Sequence, residues 1–259
     1  MSPTTRTMVF GDDGSPSADV AWQWIVDHAW TGWTLTVLTG HKPPFEDWAA
    51  PADAEPWTPS WPRPVSPSSD FSSVEFLKAD EDPRVLLDAR DADLTVVGPP
   101  NREPAVLGWL GSTSEWLLHH PSNPLAIVRS VTASAAVCCV DGSAHARRAL
   151  DTFVALPLAR SAAVELVAVD DGRTDVDTAI RDAAAVVEAA GLDASTRTLH
   201  GRPTSALLDH LDKARPDLVV LGTRGLTPWG RLTLGSTAGA VTRHVGATVL
   251  LASTVPAEH

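Results

Sequence analysis

Two short stretches hold the residues best suited to chemistry: Gly222-Thr223-Arg224-Gly225 and Gly235-Ser236-Thr237. The apolar run Leu218-Val219-Val220-Leu221 ends at Gly222, the pattern of a buried parallel strand. Gly235 to Val241 then reads as the opening of a helix. A strand end, a glycine loop and a helix start bring free backbone N–H groups and the positive end of a helix dipole to one point. Such a point suits an anion, above all a phosphate. Glycine lets the backbone come close to a ligand. Ser236 and Thr237 can donate hydroxyl hydrogen bonds, or one of them can cap the helix. Arg224 is the charged side chain of this cradle. It can pair with phosphate oxygens or stay solvated. A glycine motif this short is also compatible with an ordinary surface turn.

The stretch recurs. Asp13-Gly14-Ser15 returns 128 residues later as Asp141-Gly142-Ser143. Asp93 to Gly98 returns after 124 residues as Asp217 to Gly222, and Leu110-Gly111-Ser112-Thr113 returns at the same spacing as Leu234-Gly235-Ser236-Thr237. Leu125 to Val128 matches Thr248 to Leu251 nearly in step. Several short motifs repeated in one order predict two α/β domains, about 1–131 and 132–259, joined with almost no linker.

The spacing Gly222, two residues, Gly225, nine residues, Gly235, Ser236 resembles the G-x2-G-x9-G-S/T pattern of the universal stress protein family. In that family the pattern marks members that bind ATP. Val140-Asp141-Gly142-Ser143 is similar to the family's opening strand and turn, and Val245 to Leu251 to its closing strand. The resemblance implies two tandem Rossmann-like domains, each an open, mostly parallel five-stranded sheet with helices on both faces. It implies that Asp141 lies near the adenine and that the backbone near Val169 reads the adenine edge. Gly222, Thr223, Arg224, Gly225, Gly235, Ser236 and Thr237 would hold ribose and phosphates. Asp141 can equally serve to stabilise the turn into the following helix. Mg²⁺ can accompany the phosphates, although the sequence displays no dedicated carboxylate set. The family also pairs the last strands of two domains. Here Leu125 to Val128 and Thr248 to Leu251 could meet within one chain, giving an intramolecular pseudo-dimer that can dimerise further.

Helical spacing and strand runs place these motifs. Ser15 caps a helix with Pro16 at its first position. Ala18, Ala21, Trp22, Ile25, Val26 and Ala29 recur at helical spacing and are expected to face the sheet. In the second repeat, strands at 164–169, 195–199 and 217–222 alternate with helices after Ser143, over 174–190 and over 204–214, with Gly191 ending the middle one. This order gives parallel strands and right-handed crossovers. Ligands in such folds sit at the carboxyl ends of the strands, where Asp141 and Gly222 fall.

The first repeat departs from the pattern. Residues 41–70 carry eight prolines and three tryptophans, Trp48, Trp57 and Trp61, so no helix is expected there. The segment reads as an irregular flap on its own domain or as a partner-binding lid. Asn101 stands where the second repeat has Gly225, and Pro99 and Pro100 remove two backbone donors. A second, weaker site would comprise Asp13, Gly98, Asn101, Gly111, Ser112 and Thr113. Residues 1–130 carry 18 acidic and 8 basic groups, against 14 and 12 over 131–259, so a polyanion should prefer the second repeat.

Composition narrows the rest. A formal charge of −12 argues against nonspecific nucleic-acid binding. No run approaches a membrane span and no leader pattern opens the chain, so a cytoplasmic protein is expected. Cys138 and Cys139 are adjacent and should pack as small hydrophobes. The sequence holds no Walker loop, GxSxG elbow or HExxH motif, and no evident general base. His119, His120 and His244 fall at helix ends, where structural roles are expected. Binding with slow or absent turnover follows: an ATP-binding regulatory or stress-response protein. The alternative is a nucleotide-independent member acting through protein contacts.

Overall fold

The computed structural model describes residues 5–40, 63–65, 69–99, 112–120, 122–173, 175–224 and 234–253. In the first half, strands β1 (Arg6–Gly11), β2 (Trp33–Gly40), β3 (Ser73–Ala79), β4 (Leu94–Val97) and β5 (Leu125–Ile127) accompany helices α1 (Pro16–Val26), α2 (Pro83–Asp88) and α3 (Ser112–His119). In the second half, β6 (Ala135–Cys139), β7 (Ala163–Asp170), β8 (Ala194–His200), β9 (Leu218–Gly222) and β10 (Thr248–Ala252) alternate with α4 (Ala144–Ala155), α5 (Val176–Ala189), α6 (Pro203–Ala214) and α7 (Ser236–His244). The helices start where the sequence signals them. Ser15 and Ser143 accept hydrogen bonds from the N–H groups of Ala18 and Ala146, and Pro16 follows the first cap.

The ten strands form one sheet in the order β3-β2-β1-β4-β5-β10-β9-β6-β7-β8. Every pairing is parallel except β5 with β10. The expected meeting of the last strands is observed, between Leu125–Ile127 and Val249–Leu251, and it joins the two five-stranded halves into one continuous sheet. The reason is edge chemistry. The last strands would each expose a row of unpaired N–H and C=O groups, and antiparallel pairing satisfies both rows. In that pairing Ala126 faces Leu250, flanked by Leu125 with Leu251 and Ile127 with Val249.

Side chains alternate between two faces. On one, Met8, Phe10 and Cys138 pack with Trp22 and Ile25 of α1, Leu150 and Phe153 of α4 and Val187 of α5. On the other, Val9, Val137 and Val219 pack with Leu87 of α2, Leu118 of α3, Leu211 of α6 and Val241 of α7. Cys138 and Cys139 are free thiols, and they join opposite faces as strand alternation requires.

At the amino ends of the strands an aspartate recurs. Asp93 accepts from the Thr7 N–H at 2.8 Å, and Asp217 accepts from the Ala135 and Ser134 N–H groups at 3.0 and 2.9 Å. The Asp217 pull on two backbone donors and the Thr132 and Ser134 hydroxyls fixes the passage from the first half into β6. His120 and His244 also match. Each ring Nδ1 sits 2.8–2.9 Å from the carbonyl four residues earlier, a structural role at a helix end.

Trp48, Trp57 and Trp61 lie outside the described residues. Arg63 does not. Its guanidinium reaches back to Asp12 after β1, with Nε 2.6 Å and Nη2 2.7 Å from the two carboxylate oxygens, and Nη1 is 2.6 Å from Asp19. The Asp12 and Arg63 side chains are 1% and 7% exposed, and Arg63 lies over the Trp22 ring. In the second half Val140 holds the place of Asp12, and α5 covers that face.

Candidate functional site

The carboxyl edge of β6, β7 and β9 gathers most of the expected residues. β9 ends at Gly222, and Thr223 follows, buried, with its N–H on the Ala252 carbonyl at 3.0 Å. The Gly235 N–H donates to the Thr223 carbonyl at 2.8 Å. That bond draws the start of α7 onto the end of β9, so the connecting loop leaves and returns at one point. Gly235 is the N-cap of α7 and has no side-chain capping bond. The first N–H groups of α7 therefore retain no side-chain cap, the condition for anion binding. Ser236 is exposed at this end. Thr237 is engaged elsewhere: its hydroxyl lies 3.0 Å from that of Thr204 on α6. Gly225 lies outside the described residues.

Gly222 has a packing reason of its own. A Cβ there would stand 2.5 Å from the Ala146 nitrogen and 2.6 Å from the His145 carbonyl carbon. The start of α4 rests directly on the strand end. Gly98 repeats this: its Cβ would meet the Ser17 carbonyl oxygen at 2.7 Å and the Ala18 nitrogen at 3.0 Å at the start of α1. These two glycines permit helix–strand contact, whatever the loop binds.

Asp141 serves the turn. Its Oδ1 accepts the Ser143 N–H at 2.9 Å, as Asp13 accepts that of Ser15 at the same distance. Gly142 and Gly14 adopt positive φ within these turns. Val169 lies on β7 two residues beyond Val167, the last residue of β7 paired with β6. The Val167 carbonyl accepts from Val140 on the β6 side. Backbone direction repeats every second residue along a strand, so the Val169 N–H and C=O also point to that side, past the end of β6.

The sequence reading did not single out His145. Its Nδ1 is 3.5 Å from the Thr223 hydroxyl, and the Ser143 hydroxyl is 3.5 Å from the Arg224 carbonyl. Burial and the Arg224 charge pull the His145 pKa down, against the opposing pull of Asp141. Its position two residues after the Ser143 cap, on the first turn of a helix that meets the β9 end, was the available signal.

The first half is different. Gly98 accepts from the buried Ser114 hydroxyl at 3.3 Å. Ser112 opens α3, and Thr113 is half-buried beside it. Asn101 and Gly111 lie outside the described residues, and of the sequence-predicted second site Asp13 holds the turn after β1 while Gly98 ends near the start of α3 through Ser114. Among the described residues no group of three or more His, Cys, Asp or Glu side chains could hold a metal ion, and no helix is long and apolar enough to cross a membrane.

Residues 135–253, β6 through β10, match the model of the universal stress protein family. Over those residues the second half of the chain is similar to that family. The whole fold is shared with solved structures. A universal stress protein from Archaeoglobus fulgidus DSM 4304 aligns over 97% of this chain and 99% of its own, at 18% identity and TM-score 0.71. A functionally unknown protein from Pseudomonas aeruginosa PAO1 aligns over 96% and 92%, at 14% identity and TM-score 0.62. A universal stress protein solved in complex with cAMP covers 48% of this chain and all of its own, at 28% identity and TM-score 0.38. No curated protein sequence matches the chain. The α/β Rossmann-like fold of these structures, with a mixed sheet and flanking helices, is thus the fold of this chain.

Proposed function

We propose that this chain is a universal stress protein that binds ATP or a related adenine nucleotide at the carboxyl edge of its second half, and acts by regulation with little or no turnover. The observation that carries the reading is the Gly235 N–H to Thr223 carbonyl bond. It sets an uncapped helix start beside Arg224, at the strand end where the Val169 backbone faces outward past β6. Phosphates suit the α7 end and Arg224, while an adenine edge suits the donor and acceptor of Val169. Asp141, Gly222, Gly225 and Ser236 complete the assignment, with Thr237 in a supporting position against α6. Mg²⁺ would travel with the phosphates.

The same proposal treats the chain as tandem domains, 1–131 and 132–259. The strand order reads 3-2-1-4-5 inward from either end of the sheet, allowing for renumbering. Residues 126 and 250 are equivalents at the 124-residue spacing, and they face one another in the central pair. The β5–β10 contact then acts as an internal dimer junction. The first domain's site, around Asp13, Gly98 and Asn101, is degenerate or weaker.

The test is nucleotide content. The purified protein is denatured, and released small molecules are counted per chain by chromatography and mass spectrometry. Titration calorimetry with ATP and Mg²⁺ follows, on wild type and on Gly225→Glu. One nucleotide per chain, lost in the variant, is expected. No nucleotide and no binding would overturn the proposal and favour action through protein contacts.

A further inference from the structure

The residues that surround the proposed phosphate position include a histidine. His145 lies in the first turn of α4 and is half-buried. The close approach of α4 to Gly222 fixes where its backbone sits. Its Nδ1 is 3.5 Å from the hydroxyl of Thr223, whose carbonyl anchors the start of α7. The ring therefore stands at the meeting point of β9, α4 and α7.

We propose that His145 is a ligand-contacting residue of this site and takes up a proton when a polyphosphate binds beside it. This inference rests on the nucleotide reading above. Among the described residues, two charged groups act on the ring: Arg224 from the segment after β9 and Asp141 from the turn before α4. Burial and Arg224 disfavour the imidazolium in the free protein, while Asp141 favours it. An anion placed against Arg224 cancels that repulsion and adds attraction of its own. Both changes raise the His145 pKa, so nucleotide and proton bind together. A rise of one unit corresponds to about a tenfold gain in affinity on the acid side of the transition. The first half has Ser17 at the matching place, beneath Gly98. This coupling belongs to the second half alone.

The experiment is titration calorimetry of ATP from pH 5.5 to 8.5, in pairs of buffers with different ionisation enthalpies, on wild type and on His145→Gln. The glutamine variant keeps a polar side chain and cannot take the charge. The phosphate protons of ATP affect both proteins alike, so the difference between them isolates His145. Wild type is expected to take up more protons per ATP than the variant. Its affinity advantage should grow toward acid pH, up to about tenfold for a one-unit rise, and disappear toward alkaline pH. An NMR titration of the His145 ring, assigned by its loss in the variant, should show the pKa rising when ATP is added. Equal proton uptake in both proteins, or an unmoved ring pKa, overturns this inference and leaves the nucleotide site standing. Absence of ATP binding by wild type at every pH overturns both.

Discussion

Replacing Asp12 with valine leaves the Arg63 guanidinium facing an apolar side chain on a face where it is 7% exposed. Three hydrogen bonds go: two from Arg63, at 2.6 and 2.7 Å, and that from the Gly14 N–H at 2.9 Å. The remaining Arg63 partner, Asp19, is mostly exposed and compensates little. Removing one member of a buried pair costs about 3–5 kcal/mol. For a protein of this size that lowers the Tm by roughly 6–20 °C. Arg63→Met should cost a comparable amount, because it leaves the Asp12 carboxylate buried. The double variant Asp12→Val with Arg63→Met removes both charges together and resembles the second half, where Val140 occupies the matching place. It should recover to within about 1–2 kcal/mol of wild type, the residue being the unpaired Gly14 N–H. Urea unfolding of all four proteins measures the cycle. Additive single effects, or an Asp12→Val loss below about 1 kcal/mol, would refute the view that this pair closes the first half's exposed face.

Gly98→Ala and Gly222→Ala should each cost about 1–3 kcal/mol, since the added methyl meets backbone at the start of α1 or α4; an unchanged urea midpoint for either would contradict the packing argument. Burial pushes the Glu165 carboxyl up, but hydrogen bonds from Arg197 and His210 outweigh it and hold the pKa below the ordinary value. Its contribution is thus complete above the unfolded value of about 4.3 and lost as pH falls through the lower folded one. The stability gap between wild type and Glu165→Gln should be present at pH 7 and shrink toward zero at acid pH, as thermal unfolding across pH will show. Asp217→Ala removes bonds to Thr132, Ser134 and Ala135 and should cost about 1–2 kcal/mol, with hydrogen exchange of the Ala135 amide accelerated.

Strand and helix positions in the second half were legible because each carries a local signal. The Ser143 cap, the left-handed Gly191 and the four-residue run before Gly222 each act within a few residues. The β5–β10 pairing spans more than a hundred residues and no local pattern encodes it; its expectation came from the family resemblance and not from the residues themselves. Arg63 illustrates the limit more sharply. Proline density argues against a helix in 41–70, a segment mostly outside the described residues, yet a lone arginine among prolines gives no sign that it will reach a carboxylate 51 residues earlier. Asp12 did carry a hint, a charge in the place of Val140, which demands a partner once the face is buried. His145 was missed because the glycine pattern drew attention to the loop. The helix pressed against that loop supplies a side chain as well.

The two halves separate what the glycines do from what the site does. Gly98 and Gly222 make the same close contact with a helix start, and Asp13 and Asp141 make the same turn bond. Residues that behave alike in both halves answer to the fold, so none of them by itself distinguishes a nucleotide site. The differences lie where Thr223, Arg224 and His145 face Pro99, Pro100 and Ser17. In each pairing the second half carries a hydroxyl, a guanidinium or an imidazole, and the first half carries a proline or only a hydroxyl. Proline removes a backbone N–H, and the missing arginine removes the cation. Exchanging these three positions between halves, with the shared glycines and aspartates untouched, should therefore move nucleotide affinity without moving the fold.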